Sequence, residues 1–197
     1  MTEKEKRSLG VLYDANYDKE LMAELDRCTD LCHEYNKLKP SDRAGQRALL
    51  EKILGRMGED VTINPPFWCD YGYNVLVGNH FFANRNVQIL DGAPVTFGDH
   101  VFIAPNVLFT PAKHALDAEQ RNKGLEVAFP ITIGNNVWIG GNVTILGGVT
   151  IGDNSVIGAG SVVTRDIPPN VIAVGVPCRV MREITEADRD RYKRIEE

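Results

Sequence analysis

From Ile133 to Val163 an aliphatic residue returns at every sixth position: Ile133, Ile139, Ile145, Ile151, Ile157 and Val163. Four residues after each comes a second small or aliphatic residue, Val137, Val143, Val149, Ser155, Ser161 or Ile167. A helical stripe would recur at three and four residues, and a half-buried strand would alternate by two over a longer run. A fixed period of six predicts a mainly β solenoid in which each rung buries its apolar row against the next, with three hexads to a triangular coil. Gly and Asn/Asp follow the aliphatic residue, as in Gly134-Asn135-Asn136 and Gly152-Asp153-Asn154, and supply corners where positive φ is tolerated. The beat continues backwards through Val77, Ala83 and Ile89, slips by two, and resumes at Phe97, Ile103 and Phe109. Thr110 to Pro130 then interrupts it with a long polar stretch. Such loops in compact folds usually carry function, although a solenoid also accepts plain insertions at its corners.

Ahead of the repeats the period changes. Lys19 to Leu38 places Leu21, Leu25, Cys28, Leu31, Cys32 and Tyr35 on one helical face, and Ser41 to Met57 does the same with Leu49, Leu50, Ile53 and Leu54 before Gly55 and Gly58 stop it. Three regions follow: a helical segment over 1–60, a β-helix over 61–182 with its excursion at 110–130, and a charged helical tail over 183–197. Within the β-helix region, Thr164 to Pro169 breaks the hexads, and Val171 to Val180 reads as a last apolar strand closing the coil.

The chain has 197 residues, 43% of them hydrophobic, and a net charge of -5, enough for one globular core and a weak argument against nucleic acid. Its start, MTEKEKRSLG, is charged and lacks an apolar targeting run, and no stretch reaches membrane-spanning length; a cytoplasmic protein with no membrane partner is expected. The four cysteines, Cys28, Cys32, Cys69 and Cys178, form no C-x-x-C pair and read as reduced thiols. Cys28, Cys32 and His33 could suggest a metal cluster, but cysteines four apart on a helix are more simply core residues, and no metal is expected.

Two stretches suggest chemistry. Pro65 to Asn74, PPFWCDYGYN, sets aromatics beside Asp70, suited to a sugar whose C–H faces pack on rings, or equally to a cap over the first coil. His114 opens the excursion with Asp117 and Arg121 after it, whereas His33 lies in a helix and His80 and His100 occupy corners, all three expected to be exposed. Arg165, Arg179 and Arg182 gather positive charge in an acidic protein, for solubility or for phosphate.

ITIGNNVWIGG, VTIGDNSVIGAGSVVT, the ending DIPPNVIAVGVPCRV, CDYGYN with FFAN, and the loop H-x-x-D-x-x-x-R together resemble the maltose/galactoside O-acetyltransferases, a branch of the hexapeptide-repeat acyltransferases, from about Leu12 to Glu183. The resemblance implies a left-handed parallel β-helix with an N-terminal α-helical segment and a short C-terminal helix. Only the resemblance supplies that hand, since ordinary parallel crossovers are right-handed. It implies a homotrimer with sites between neighbouring coils, acetyl-CoA as co-substrate and a small sugar as acceptor. His114 would be the general base that takes the proton as a sugar hydroxyl attacks the thioester, then returns it to the departing sulfur. Asp14, Asp70, Asn84 and Asp91 would contact the acceptor. Asp14 could instead be an acidic helix-start residue, Asn84 a left-handed corner, and Asp91, followed by Gly92, departs from relatives with two consecutive acids. The Gly141 N–H would meet the oxyanion, Trp138 the pantetheine arm unless it is only an outward rung residue, and Ala159, Thr164, Arg165, Arg179 and Arg182 the remainder of the coenzyme.

No Cys, Ser or Lys sits in a nucleophile's setting, which favours direct transfer in a ternary complex. Three readings compete. A zinc β-helix carbonic anhydrase needs two histidines close in sequence, and His80, His100 and His114 are 20 and 14 apart. The same chemistry could serve serine, an amino sugar, an antibiotic or an oligosaccharide. A non-catalytic solenoid binding module is the third.

Overall fold

The computed structural model describes residues 1–189 and 191–192. Short strands of two to five residues stack in parallel into three sheets, and the six-residue beat becomes three interior columns. On one face Ile63, Ala83, Ile103, Ile139, Ile157 and Ala173 pair in register, each with the next. Cys69, Ile89, Phe109, Ile145 and Val163 do so on the second, and Phe97, Ile133 and Ile151 on the third. The residues four further on, Val137, Val143, Val149, Ser155, Ser161 and Ile167, are also buried, so every hexad contributes two interior positions. The two serines satisfy their hydroxyls locally: Ser155 Oγ donates to Pro168 O at 2.9 Å and Ser161 Oγ to Gly158 O at 2.6 Å.

One column of corners holds a left-handed residue at every level. Asp60, His80, His100, Asn136, Asn154 and Asn170 lie at φ between 51° and 61°. Asn136 Nδ2 donates to Asn154 Oδ1, and Asn154 Nδ2 to Asn170 Oδ1, each at 3.0 Å, while the His80 and His100 rings stack at 4.5 Å. Both histidines are exposed corner residues, as the repeat implied.

The slip of two has a structural cause. Ala83 pairs with residues 20 away on either side, but Ile139 pairs with Ile103, 36 before it, and Ile157, 18 after it. The extra residues all fall on one edge of the prism, in the corners 70–74 and 90–94, and the excursion 110–130 leaves from the same edge one level on. The edge then tightens at Gly147-Gly148, where Gly148 takes φ 89°.

The first rung has no coil beneath it, and helices cover it. After α1 (Glu3–Ser8), α2 (Lys19–Lys37) starts on Asp18, whose side chain accepts from Leu21 N at 3.0 Å, and α3 (Arg43–Ile53) starts on Asp42, which accepts from Gly45 N at 2.9 Å. Cys28, Cys32, Tyr35, Leu50 and Ile53 join the same buried cluster as Ile63, Phe67 and Cys69. The second helix is shorter than its period suggested. At Leu54 the backbone turns extended, and Gly55 N–H goes to Gly72 O and Val75 O, where a side chain at 55 would overlap Tyr73 O. α1 is held by Arg7, whose Nη2 donates to Tyr73 Oη at 2.6 Å and whose guanidinium lies 4.4 Å from the Tyr71 ring centre.

The closing end differs from a single last strand. Val171–Val174 continues the parallel sheet, Gly175 at φ 100° reverses the chain, and Arg179–Glu183 returns antiparallel to it. Glu186–Asp188 forms a 3₁₀ turn, the described part of the charged tail; residues 190 and 193–197 of that tail lie outside the described residues. Among the described residues no helix is long and apolar enough to cross a membrane.

Ile139 is wholly buried with a paired rung above and below, so Ile139→Ala is expected to cost about 2–5 kcal/mol in denaturant unfolding. A loss under about 1 kcal/mol would mean that the column collapses into the gap.

Candidate active site

The excursion is built rather than loose. Ala112–His114 and Leu125–Ala128 form an antiparallel ladder in which His114 pairs with Glu126, and Tyr13–Asp14 adds a third strand, with Tyr13 opposite Glu126. Between them α4 (Ala118–Asn122) is capped by Asp117, which accepts from Gln120 N at 2.9 Å; Arg121 Nη1 donates to Ala115 O at 3.1 Å and Leu116 O at 3.0 Å. The loop's Asp and Arg thus hold its shape, leaving the histidine free of that task.

Glu126 is the residue the sequence did not suggest. His114 Nδ1 lies 3.4 Å from Glu126 Oε1, and Tyr13 Oη, 1% exposed, donates to Glu126 Oε2 at 3.4 Å. Burial, reinforced by the Glu126 charge, pushes the Tyr13 phenol above its ordinary range, so it stays a donor. With Nδ1 turned to a carboxylate, Nε2 is the nitrogen left to exchange a proton. Gly124 followed by the alternating Leu125-Glu126-Val127 was the available signal, masked because the stretch read as one polar loop.

Asp70 shares a small cavity of about 70 Å³ with Glu126, Tyr13, Gly92 and Ala112. Burial first, then the charges of Asp91 and Glu126, push its carboxyl up to about 7. Asp91 stands behind it: fully buried, its Oδ1 accepts from the N–H groups of Asp70 and Tyr71, each at 2.9 Å. It braces the Asp70 corner from inside and is not on the cavity wall. Gly92 is on that wall, where a side chain would press on Tyr13 Oη and Ala112. Asp14 belongs to the same small sheet, but its Oδ1 accepts from Asn16 N at 3.2 Å and Tyr17 N at 2.9 Å; the helix starts later, on Asp18.

The other candidates lie elsewhere on the prism. Asn84, Gly141 and Ala159 occupy a different column of corners, one face away from the excursion. Gly160 N–H bonds Gly141 O there, and Asn84 Oδ1 accepts from Arg85 N at 2.8 Å. Gly141 has Pro105 O at 3.3 Å from where a side chain would begin and open space otherwise. Beside this column Phe82, Phe102 and Trp138 face outward in register, with Trp138 55% exposed. Thr164 and Arg165 are exposed on the excursion's own edge, at the far end. Arg179 is exposed, whereas Arg182 is paired with Asp188 through two bonds of 2.7 and 2.6 Å. A three-residue strand separates the two columns, roughly 10 Å, while a base acts at about 3 Å. On one chain the His114 group and the Gly141 group thus sit on different edges of the prism.

The family model of the maltose acetyltransferase hexapeptide capping motif matches residues 8–58, and that of the bacterial transferase hexapeptide (six repeats) matches residues 130–165. A galactoside O-acetyltransferase of Escherichia coli is 51% identical over 162 residues, 82% of this chain and 80% of the relative. Among solved structures, a galactoside acetyltransferase in complex with coenzyme A superposes with a TM-score of 0.94 at 44% identity, covering 100% of both chains. A maltose O-acetyltransferase from Clostridium difficile 630 gives 0.92 at 47% identity, covering 94% of this chain and 99% of that one.

Folding raises the Asp70 carboxyl from about 3.8 to about 7, so the native state keeps a proton that the unfolded chain has released, and stability falls as pH rises between those values. Asp70→Asn removes the penalty. It is expected to raise stability above pH 7 by up to about 4 kcal/mol, with the gain fading toward pH 4 in denaturant titrations; equal gains at both pH values would refute the origin in titration.

Proposed function

The chain belongs to the maltose/galactoside O-acetyltransferase family of hexapeptide-repeat enzymes, and on that footing we propose that it transfers acetyl from acetyl-CoA to a hydroxyl of a small sugar, with His114 as general base. The observation that carries the reading is the His114–Glu126 pair on a three-stranded sheet beside the Asp70 cavity. A neutral alcohol is a poor nucleophile near neutral pH, so the reaction needs a base in hydrogen-bond reach of the hydroxyl. Glu126 orients the imidazole and stabilises the positive charge it gains on taking the proton. The hydroxyl oxygen forms its bond to the thioester carbon, the collapsing intermediate breaks the carbon–sulfur bond, and the imidazolium returns the proton to the leaving thiolate. Asp70 accepts from a second hydroxyl of the acceptor.

The coenzyme follows the other column. Gly141 offers an N–H to the developing oxyanion, and its open side lets the thioester approach. Trp138 packs on the pantetheine arm and Ala159 and Arg179 line the remainder, while Thr164 and Arg165, on the excursion's edge, reach the coenzyme from the facing copy. Arg182 reaches the nucleotide phosphates in competition with Asp188. Because the two columns lie apart on one chain, the working site forms where the His114 edge of one copy meets the Asn84–Gly141 edge of the next, as in a closed trimer.

Thiol release from acetyl-CoA should depend on an acceptor in a panel of glucose, maltose, galactosides, amino sugars and serine, and His114→Ala should lower it by about 10²-fold or more. Unchanged turnover would remove His114 from the mechanism, and a preference for serine would remove the sugar. His114→Ala and Asn84→Ala should each be inactive alone, but co-refolded together they should recover roughly a quarter of wild-type activity, the share of shared sites that escape both lesions in a randomly mixed ring. No recovery would place both residues in one chain's site.

A further inference from the structure

At the capped end of the solenoid, α2 presents Cys28 and Cys32, one turn apart, to Cys69 of the first coil. Cys69 Sγ is 3.5 Å from Cys28 Sγ and 3.7 Å from Cys32 Sγ, and the three sulfurs lie within 4.8 Å of one another. The residues are 2%, 0% and 5% exposed. Sulfurs bound to one metal ion at about 2.3 Å stand about 3.8 Å apart in a tetrahedron and about 4.0 Å apart in a triangle. The two spacings from Cys69 therefore need shifts of only a few tenths of an ångström to share an ion with it.

His33, next in sequence, is exposed and outside the cluster.

We propose that Cys28, Cys32 and Cys69 form a trigonal site for a soft monovalent cation of the Cu(I) type. Three thiolates complete the shell of such an ion, whereas zinc requires a fourth ligand and none joins the trio among the described residues. Each coordinating thiol loses its proton to solvent as its bond to the ion forms, and no oxidation state changes. The bound ion fastens α2 to the first coil at the residue preceding Asp70. It is independent of the acetyl-transfer reading.

The test is titration of the reduced protein with Cu(I) supplied as its bicinchoninate complex, both onto the folded chain and during refolding. One equivalent should pass from dye to protein, with a thiolate-to-metal absorption band and a higher melting temperature. Cys178→Ser should keep this behaviour, and Cys28→Ser and Cys69→Ser, accepted only with a cooperative melt, should weaken binding at least tenfold. Failure of wild type to take up one equivalent in either format would reduce the trio to core packing. Undiminished binding by Cys69→Ser, or preference for Zn(II) at equal concentration, would overturn the trigonal assignment.

Discussion

Everything in this molecule answers to one requirement: each rung must lie in register on the next, because its apolar residues have nothing else to cover them. A coil therefore cannot absorb extra residues within its strands without moving a whole interior column. Additions have to leave at corners, and here they leave at one edge, first as two modest enlargements and then as a 21-residue excursion that carries His114. The columns make that edge rigid, which the role proposed for His114 calls for, since a base has to be held within about half an ångström of its partner.

The site's electrostatics follow from how that edge is sealed. Docking Tyr13–Asp14 against the hairpin buries Tyr13 and encloses Asp70 with Glu126, bringing two carboxyl groups into one small space. Burial, with the charges of Asp91 and then Glu126 added, keeps Asp70 partly protonated near neutral pH, while Glu126 faces the histidine. Asp91 takes the backbone donors of the corner from inside and leaves Asp70's side chain to the cavity.

The repeat was legible because periodicity is a local signal: Ile133 through Val163 state their own spacing, and the paired columns match it residue for residue. The helices were legible for the same reason, apart from the end at Ile53, which depends on Gly55 meeting a backbone carbonyl 17 residues later. Glu126 was not, since its meaning depends on a partner strand at Tyr13, far away in sequence. Cys69 was similarly invisible as a companion of Cys28 and Cys32. The separation of Asn84 and Gly141 from His114 needed the prism itself, because three corners that look alike in sequence point in three directions.

The strand at Tyr13–Asp14 reaches Glu126 across 113 positions, whereas the stacked rungs meet partners no more than 36 away. A chain leaving the ribosome can close its first coils level by level, yet the sheet under His114 waits for a segment made long before to be met by one made long after. The edge that carries His114 is thus among the last parts to exist. Turnover, more than any signature of β structure, reports that the whole chain has arrived.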